Sequence, residues 1–247
     1  MSSSNPDFAP AAPGQSSPLI AASTVILARD TESSARGGVE LLMLQRVGRG
    51  AFAGMWVFPG GKVDAEDRVN IADIELASEL ATARIAAARE AREETGLVVE
   101  PSALAALSHW MPPPTEARRF STWFFVAQAP PGSIALSVGE ATAHRWITPE
   151  DALELNAASA ADFPLAPPTW TTLHQLVGSP SVPELLHRLR TAVSPRMHTR
   201  VIATEPLTLA WAGDHAYEHP DHALDPEQPG TRHRLVLAKT GWTYENS

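Results

Sequence analysis

The chain has 247 residues, 44% of them hydrophobic and 19% charged, and its formal charge is −9, from 19 basic against 28 acidic side chains. That acidity argues against a sequence-independent nucleic-acid binder, which needs a broad cationic surface. The absence of cysteine excludes disulfides, thiol catalysis and thiolate metal sites, and no apolar run approaches the ~18 residues of a membrane span.

Residues 1–18 contain five Ser and four Pro and too little apolar surface to offset ordering entropy, so they are expected to be a disordered tail. The first basic residue is Arg29, which leaves no charged start for a secretory signal and makes the cytoplasm the expected compartment. Ser23–Ala28 and Val39–Arg46 read as partner strands, and Trp56–Phe58 as a short strand stopped by Pro59-Gly60-Gly61. An alanine-rich helix is expected from about Ile71 to Thr95, with Gly96 as its C′ stop. Strands follow at Leu107–Met111, Phe120–Gln128 and Ala141–Ile147. Thr148 then caps a helix whose first residue is Pro149. Helices near Thr169–Val177 and Val182–Ala192 precede two long strands, Arg200–Trp211 and His233–Tyr244. The domain reading is a main domain over 19–160 and an α/β extension packed on it over 161–247.

The chemistry concentrates in Arg89-Glu90-Ala91-Arg92-Glu93-Glu94-Thr95-Gly96-Leu97. On a helix, Glu90, Glu93 and Glu94 fall at i, i+3 and i+4, three carboxylates on one face at the C-terminal end, where the macrodipole disfavours acids. The pattern admits an exposed acidic helix end relieved by Arg89 and Arg92. It equally admits a site for a hard divalent cation, which takes carboxylate oxygens. Upstream, Phe58-Pro59-Gly60-Gly61-Lys62-Val63-Asp64 is a strand running into a double-glycine turn, where backbone can approach a ligand closely.

Together these two segments resemble the Nudix hydrolase family, whose box reads Gly, five residues, Glu, seven residues, Arg-Glu-φ-x-Glu-Glu-x-Gly-φ. The second half matches at Arg89, Glu90, Ala91, Glu93, Glu94, Gly96 and Leu97. In the first half the box acid falls on Asp67, beside Glu66, and residues 68–88 put 21 positions before Arg89 in place of seven. The 14 extra residues form an insertion within about 68–82, and Asp67 or Glu66 is left to reach across it to Arg89. Split boxes of this kind are similar to the branch that cleaves coenzyme A and acyl-coenzyme A. That likeness continues through Arg118–Phe125, Gly139–Thr142 and Arg145–Pro149.

The resemblance implies an α/β/α sandwich with a mixed sheet. It also implies a divalent-metal-dependent diphosphatase using Mg²⁺ or Mn²⁺, acting on a nucleoside diphosphate derivative, foremost coenzyme A or its acyl thioesters. Metal ligands would be Glu90, Glu93, Glu94 and the Gly60 carbonyl. Arg89 would hold the glutamates in register, and Glu90, Glu93 or Glu140 would carry the catalytic proton chemistry. Arg46, Arg49, Arg118 and Arg119 are candidate phosphate contacts, because guanidinium forks match phosphate oxygens. Within the enzyme class the alternatives are ADP-ribose or NADH pyrophosphatase activity and sanitation of oxidised nucleotides. A non-catalytic ligand sensor on the same fold is the alternative from another class, and it sits poorly with three retained glutamates. Partners are thus small molecules rather than nucleic-acid polymers or membranes, and a homodimer is compatible with the sequence. His215, His219 and His222 with Asp214 and Asp221 have a zinc-like composition, but they lie in a Pro-broken stretch better read as a polar loop. Pro112-Pro113-Pro114 reads as a polyproline turn.

Overall fold

The structure, a computed structural model, describes residues 17–31, 38–48, 52–70, 75–218 and 230–247. The central strand β1 (Leu19–Asp30) runs parallel to β6 (Arg119–Gln128) from the pair Leu19↔Arg119 to Ala28↔Gln128. Its other edge changes partner along its length. Ala28–Asp30 pair with β2 (Val39–Arg46), whereas Ala22–Thr24 pair with β4 (Gly60–Lys62). Past that switch β2 carries β3 (Trp56–Val57) and β7 (Ala141–Ile147), both antiparallel. β5 (Ala105–Met111) pairs antiparallel with β6 and parallel with β8 (Arg196–His198). The sheet is therefore mixed.

Strand periodicity divides β1 between two layers. Val25 and Leu27 join Trp123 and Phe125 beneath α1 (Glu75–Thr95), while Ile26 and Ala28 join Phe124 and Val126 on the opposite face. Helix α1 sits low on the sheet because the residues facing it are small: Ala83, Ala87 and Ala91 recur every four positions and are all buried. Ser23 Oγ donates to the Ala83 carbonyl at 2.6 Å, fixing the helix over β1. Gly96 adopts φ +75°, and the helix end is closed by the following loop, where Ala135 N donates to Thr95 O at 2.8 Å and Ser137 N to Glu94 O at 3.1 Å.

The opposite layer holds α2 (Pro149–Ala158), capped by Thr148 at the Asp151 N–H, with α3 (Pro167–Leu176) and α4 (Val182–Thr191). A separate antiparallel sheet follows, β9 (Arg200–Thr204), β10 (Leu207–Ala210), β11 (His233–Ala238) and β12 (Gly241–Asn246), with α5 (His215–Glu218) beside it. Trp170, Leu173, Leu185, Met197, Trp211 and Leu235 share one buried cluster with Ile26 and Met43. These residues beyond 160 are thus buried in the same core as the central strands.

Several expected boundaries change. Phe58 lies outside the strand, and Gly60–Lys62, expected as a turn, forms β4, because its backbone fills the edge of β1 that β2 vacates. Each long C-terminal strand is a hairpin, turning at Glu205-Pro206 and at Lys239-Thr240, and β8 had no expected counterpart. The expected helix start at Ile71 lies outside the described residues, and α1 is described from Glu75, so the insertion adds turns to its N-terminus. Among the described residues no helix is long and apolar enough to cross a membrane.

Candidate active site

Strand β4 and the last two turns of α1 bring the box residues together. A Cβ on Gly61 would lie within 3 Å of the Glu90 carboxylate, so a side chain there would push Glu90 out of its present position. The Gly60 N–H donates to Glu94 Oε2 at 2.9 Å, and Arg46 Nη1 stands 3.7 Å from Glu94 Oε1.

One guanidinium organises the acids. Arg89 Nη1 donates to Glu90 Oε1 at 2.9 Å and to Glu93 Oε2 at 3.0 Å, the latter by the expected i, i+4 contact. Its Nη2 and Nε donate to Asp67 at 2.9 and 3.0 Å, and Nη2 also reaches the Lys62 carbonyl at 2.9 Å. Asp67, rather than Glu66, spans the insertion. Asp67 is buried and also accepts the Asp64 N–H at 2.9 Å. Burial opposes its ionisation, but the hydrogen bonds from Arg89 and Asp64 outweigh that and hold its pKa below the ordinary value. The bond from Arg89 to Asp67 foremost, and that to Glu90, push the Arg89 pKa up against the opposing effect of burial.

Glu90 and Glu94 behave in the opposite sense. Burial raises both, and each is raised further by the other acids, Glu140 among them; Glu94 is pushed up to about 7. Glu94 has only 7% of its side chain exposed, against 47% for Glu93, which faces solvent. Glu140 is exposed in the loop before β7, and its carbonyl accepts the Val47 N–H at 3.0 Å, so this loop is held beside the end of β2.

Among the described residues no three His, Asp or Glu side chains converge as a finished metal cage. Glu93 is turned onto Arg89, and Glu94 onto Gly60 and Arg46. The donor set nonetheless fits a hard cation. It consists of carboxylate oxygens, two of them on Glu90 and Glu94, which burial pushes toward the neutral form, and a nearby cation would restore their charge. The contact made by Gly60 in this structure is through its N–H, not the carbonyl expected as a ligand.

The expected phosphate contacts separate. Arg46 is at the cluster, with its Nε buried and lacking a hydrogen-bond partner. Arg49 lies outside the described residues. Arg118 and Arg119 are not brought to the carboxylates. Arg119 pairs with Leu19, whereas Gly60 pairs with Thr24, five residues along β1 or roughly 16 Å at strand rise. Arg119 donates toward the Ser17 and Pro112 carbonyls at 3.4 and 3.5 Å, and Arg118 lies over the Phe120 ring. Their adjacency to a motif in sequence did not carry over, because β6 starts at the far end of its ladder with β1. Asp214 of the histidine-rich stretch is buried against Arg234 at 2.6 and 2.7 Å, an internal ion pair; His219, Asp221 and His222 lie outside the described residues. Pro112–Pro114 enter a turn in which Glu116 N donates to Pro113 O. Sequence reasoning missed the Lys62 carbonyl as an Arg89 acceptor, because a backbone oxygen leaves no compositional signal.

A family model described as NUDIX domain matches residues 18–167. Among solved structures, a NUDIX hydrolase from Alicyclobacillus acidocaldarius is 21% identical at TM-score 0.58, covering 71% of this chain and 99% of that one. A MutT NUDIX hydrolase from Burkholderia pseudomallei is 19% identical at TM-score 0.44, covering 65% and 100%. The NUDIX domain of Shewanella oneidensis NrtR complexed with ADP ribose is 17% identical at TM-score 0.44, covering 64% and 86%. No curated protein matches.

Proposed function

The chain belongs to the Nudix family, whose members generally require a divalent metal and hydrolyse pyrophosphate bonds in nucleoside diphosphate derivatives, and from that premise we propose that it cleaves the diphosphate of coenzyme A or an acyl-coenzyme A. The observation that carries the reaction is the Arg89 hub, which holds Asp67, Glu90 and Glu93 around one guanidinium despite the insertion. The coenzyme A reading rests on the split box and the sequence likeness beyond it.

Glu90, Glu93 and Glu94 would hold Mg²⁺ or Mn²⁺, with the Gly60 carbonyl as a further oxygen. The ion would neutralise the diphosphate and lower the pKa of a water for attack at phosphorus. The chain's own residues supply the rest. Arg89 keeps Glu90 and Glu93 in register, so that carboxylates packed at a helix C-terminus neither splay nor swing into solvent. Arg46 offers its guanidinium to a phosphate oxygen beside Glu94. Glu90 would act as a ligand or as the base that takes a proton from the attacking water, and Glu140, in the loop before β7, is the other candidate for that base.

Product analysis over coenzyme A, acyl-coenzyme A, ADP-ribose, NADH and oxidised nucleotides, with Mg²⁺ and with Mn²⁺, tests this. The reading expects 3′,5′-ADP from coenzyme A as the fastest product. Faster release of AMP from ADP-ribose would replace the substrate and keep the reaction.

A further inference from the structure

The insertion lengthens α1, and the added turns roof a cavity of about 320 Å³ on the sheet face that carries the carboxylates. Ala21, Ser121 and Trp123 form its floor, Glu79 and Thr82 its roof, and Val63 and Arg68 the wall toward the site. Contiguity with the site follows from consecutive residues of one segment. Gly61 abuts Glu90, the Lys62 carbonyl is held by Arg89, and Val63, whose N–H donates to Ala21 O at 2.9 Å, stands in the cavity wall. Two residues of extended chain cover about 7 Å. Along the helix, Thr82 precedes Glu90 by eight positions, about 12 Å. A group entering the cavity from the diphosphate therefore needs a reach of roughly 7–12 Å.

The lining selects its chemistry. Glu79 Oε1 accepts from Trp123 Nε1 at 2.7 Å and lies 3.6 Å from His109 Nε2, while Ser121 Oγ lies 2.8 Å from the same nitrogen. A carboxylate beside Nε2 favours the tautomer protonated there, so Ser121 accepts from His109 and keeps its hydroxyl hydrogen for a group in the cavity. Ser121 is then a donor, not an activated nucleophile. Trp123 stacks on His109 at 4.5 Å and is only 5% exposed, so it offers a nucleobase no open platform. Glu75 and Glu79 outnumber Arg68 in the lining, so its net charge is negative and disfavours an anionic end group. What fits is narrow and uncharged, with apolar stretches against Ala22, Val63, Val69 and Ala83 between a few hydrogen-bonding groups.

We propose that this cavity holds the amide-bearing arm that the substrate carries on the side of its diphosphate away from the nucleoside. The inference rests on the diphosphatase reading for its position and on the lining for its chemistry. Ala21 is an exposed residue of β1, so Ala21→Phe fills the cavity with little demand on the fold, and Ala21→Ser keeps it open. With Mg²⁺, Ala21→Phe should lower kcat/KM for coenzyme A at least about tenfold, mostly through KM, while Ala21→Ser stays within about twofold of the wild type. In the metal-free protein, pantetheine alone at millimolar concentration should shift the amide resonances of Ser121 and Thr82, and Ala21→Phe should abolish those shifts. Unchanged cleavage by a folded Ala21→Phe, or no shift with pantetheine, overturns the inference. Should the wild type fail to cleave coenzyme A, the substrate reading falls, and the pantetheine shifts still decide the cavity.

Discussion

Arg89 and Asp67 are 22 positions apart in the chain, yet Arg89 Nη2 and Nε donate to the Asp67 carboxylate at 2.9 and 3.0 Å. The pair closes the insertion as a loop, so the added residues lengthen α1 and leave the geometry at Glu90 and Glu93 in place. Arg89 is 21% exposed and Asp67 3%, so the pair is shielded from the screening that makes surface ion pairs nearly worthless.

Removing one partner of this pair leaves the other buried without compensation. Asp67→Ala should destabilise the protein by about 3 kcal/mol and lower kcat as well, because Arg89 then no longer holds Glu90 and Glu93 in one orientation. Thermal denaturation and steady-state kinetics check this together. A stable, fully active Asp67→Ala would show that the brace is dispensable.

Glu93→Gln and Glu94→Gln keep side-chain shape while removing negative charge. Each should lower Mg²⁺-dependent kcat by orders of magnitude, and Glu94→Gln should leave metal-free thermal stability equal or higher, because burial of an ionised Glu94 is unfavourable. Near-native turnover in either variant would remove that residue from the metal set.

The raised pKa of Glu94 has a defined pH signature in metal-free protein. Its folded-state value is about 7 against an ordinary 4.5, so the folded protein binds the extra proton between those values. Stability should fall as pH rises across that window, by on the order of 3 kcal/mol in full, and Glu90, raised in the same direction, adds to the slope. Asp67 and Asp214 are shifted downward, so their contribution is lost only in stronger acid and does not enter the window. His109 and His174, whose pKa values burial lowers, act in the opposite sense, so the Glu94 contribution is read as a difference. From about pH 5 to about pH 7.5 the melting temperature of the wild type should fall relative to that of Glu94→Gln. Equal slopes in the two proteins would contradict the assignment.

Far from the carboxylates, Asp214 accepts from Arg234 twice and from the His233 and Ala216 N–H groups at 2.9 and 2.8 Å. Asp214→Ala should cost about 3–5 kcal/mol of stability while leaving kcat/KM of the folded fraction unchanged. Denaturant titration with activity measured in parallel separates the two effects.

Much of this architecture was legible in residue order. The β1 run from Val25 to Ala28 is apolar without alternation, as a strand covered on both faces must be, and Glu90, Glu93 and Glu94 announced a shared face by spacing alone. The Thr148–Pro149 helix start likewise follows from capping chemistry. Three things were not legible. The hairpins at Glu205-Pro206 and Lys239-Thr240 turn in two residues, and single markers, Pro206 and Gly241, did not distinguish a turn from a continuous edge strand. β4 exists only because β2 leaves an edge of β1 open, a tertiary condition without a local signature. Arg118 and Arg119 read as site residues because they precede a strand, and the β1–β6 register, invisible in one sequence, carries them away.

The measurement that most directly tests the account is hydrolysis of coenzyme A in ¹⁸O-labelled water, followed by mass spectrometry of both products, with Mg²⁺ and with a chelator. The account predicts cleavage only with the metal and one labelled oxygen on a product phosphate, as attack at phosphorus requires. Cleavage that persists with the chelator, or label absent from both phosphates, would contradict it.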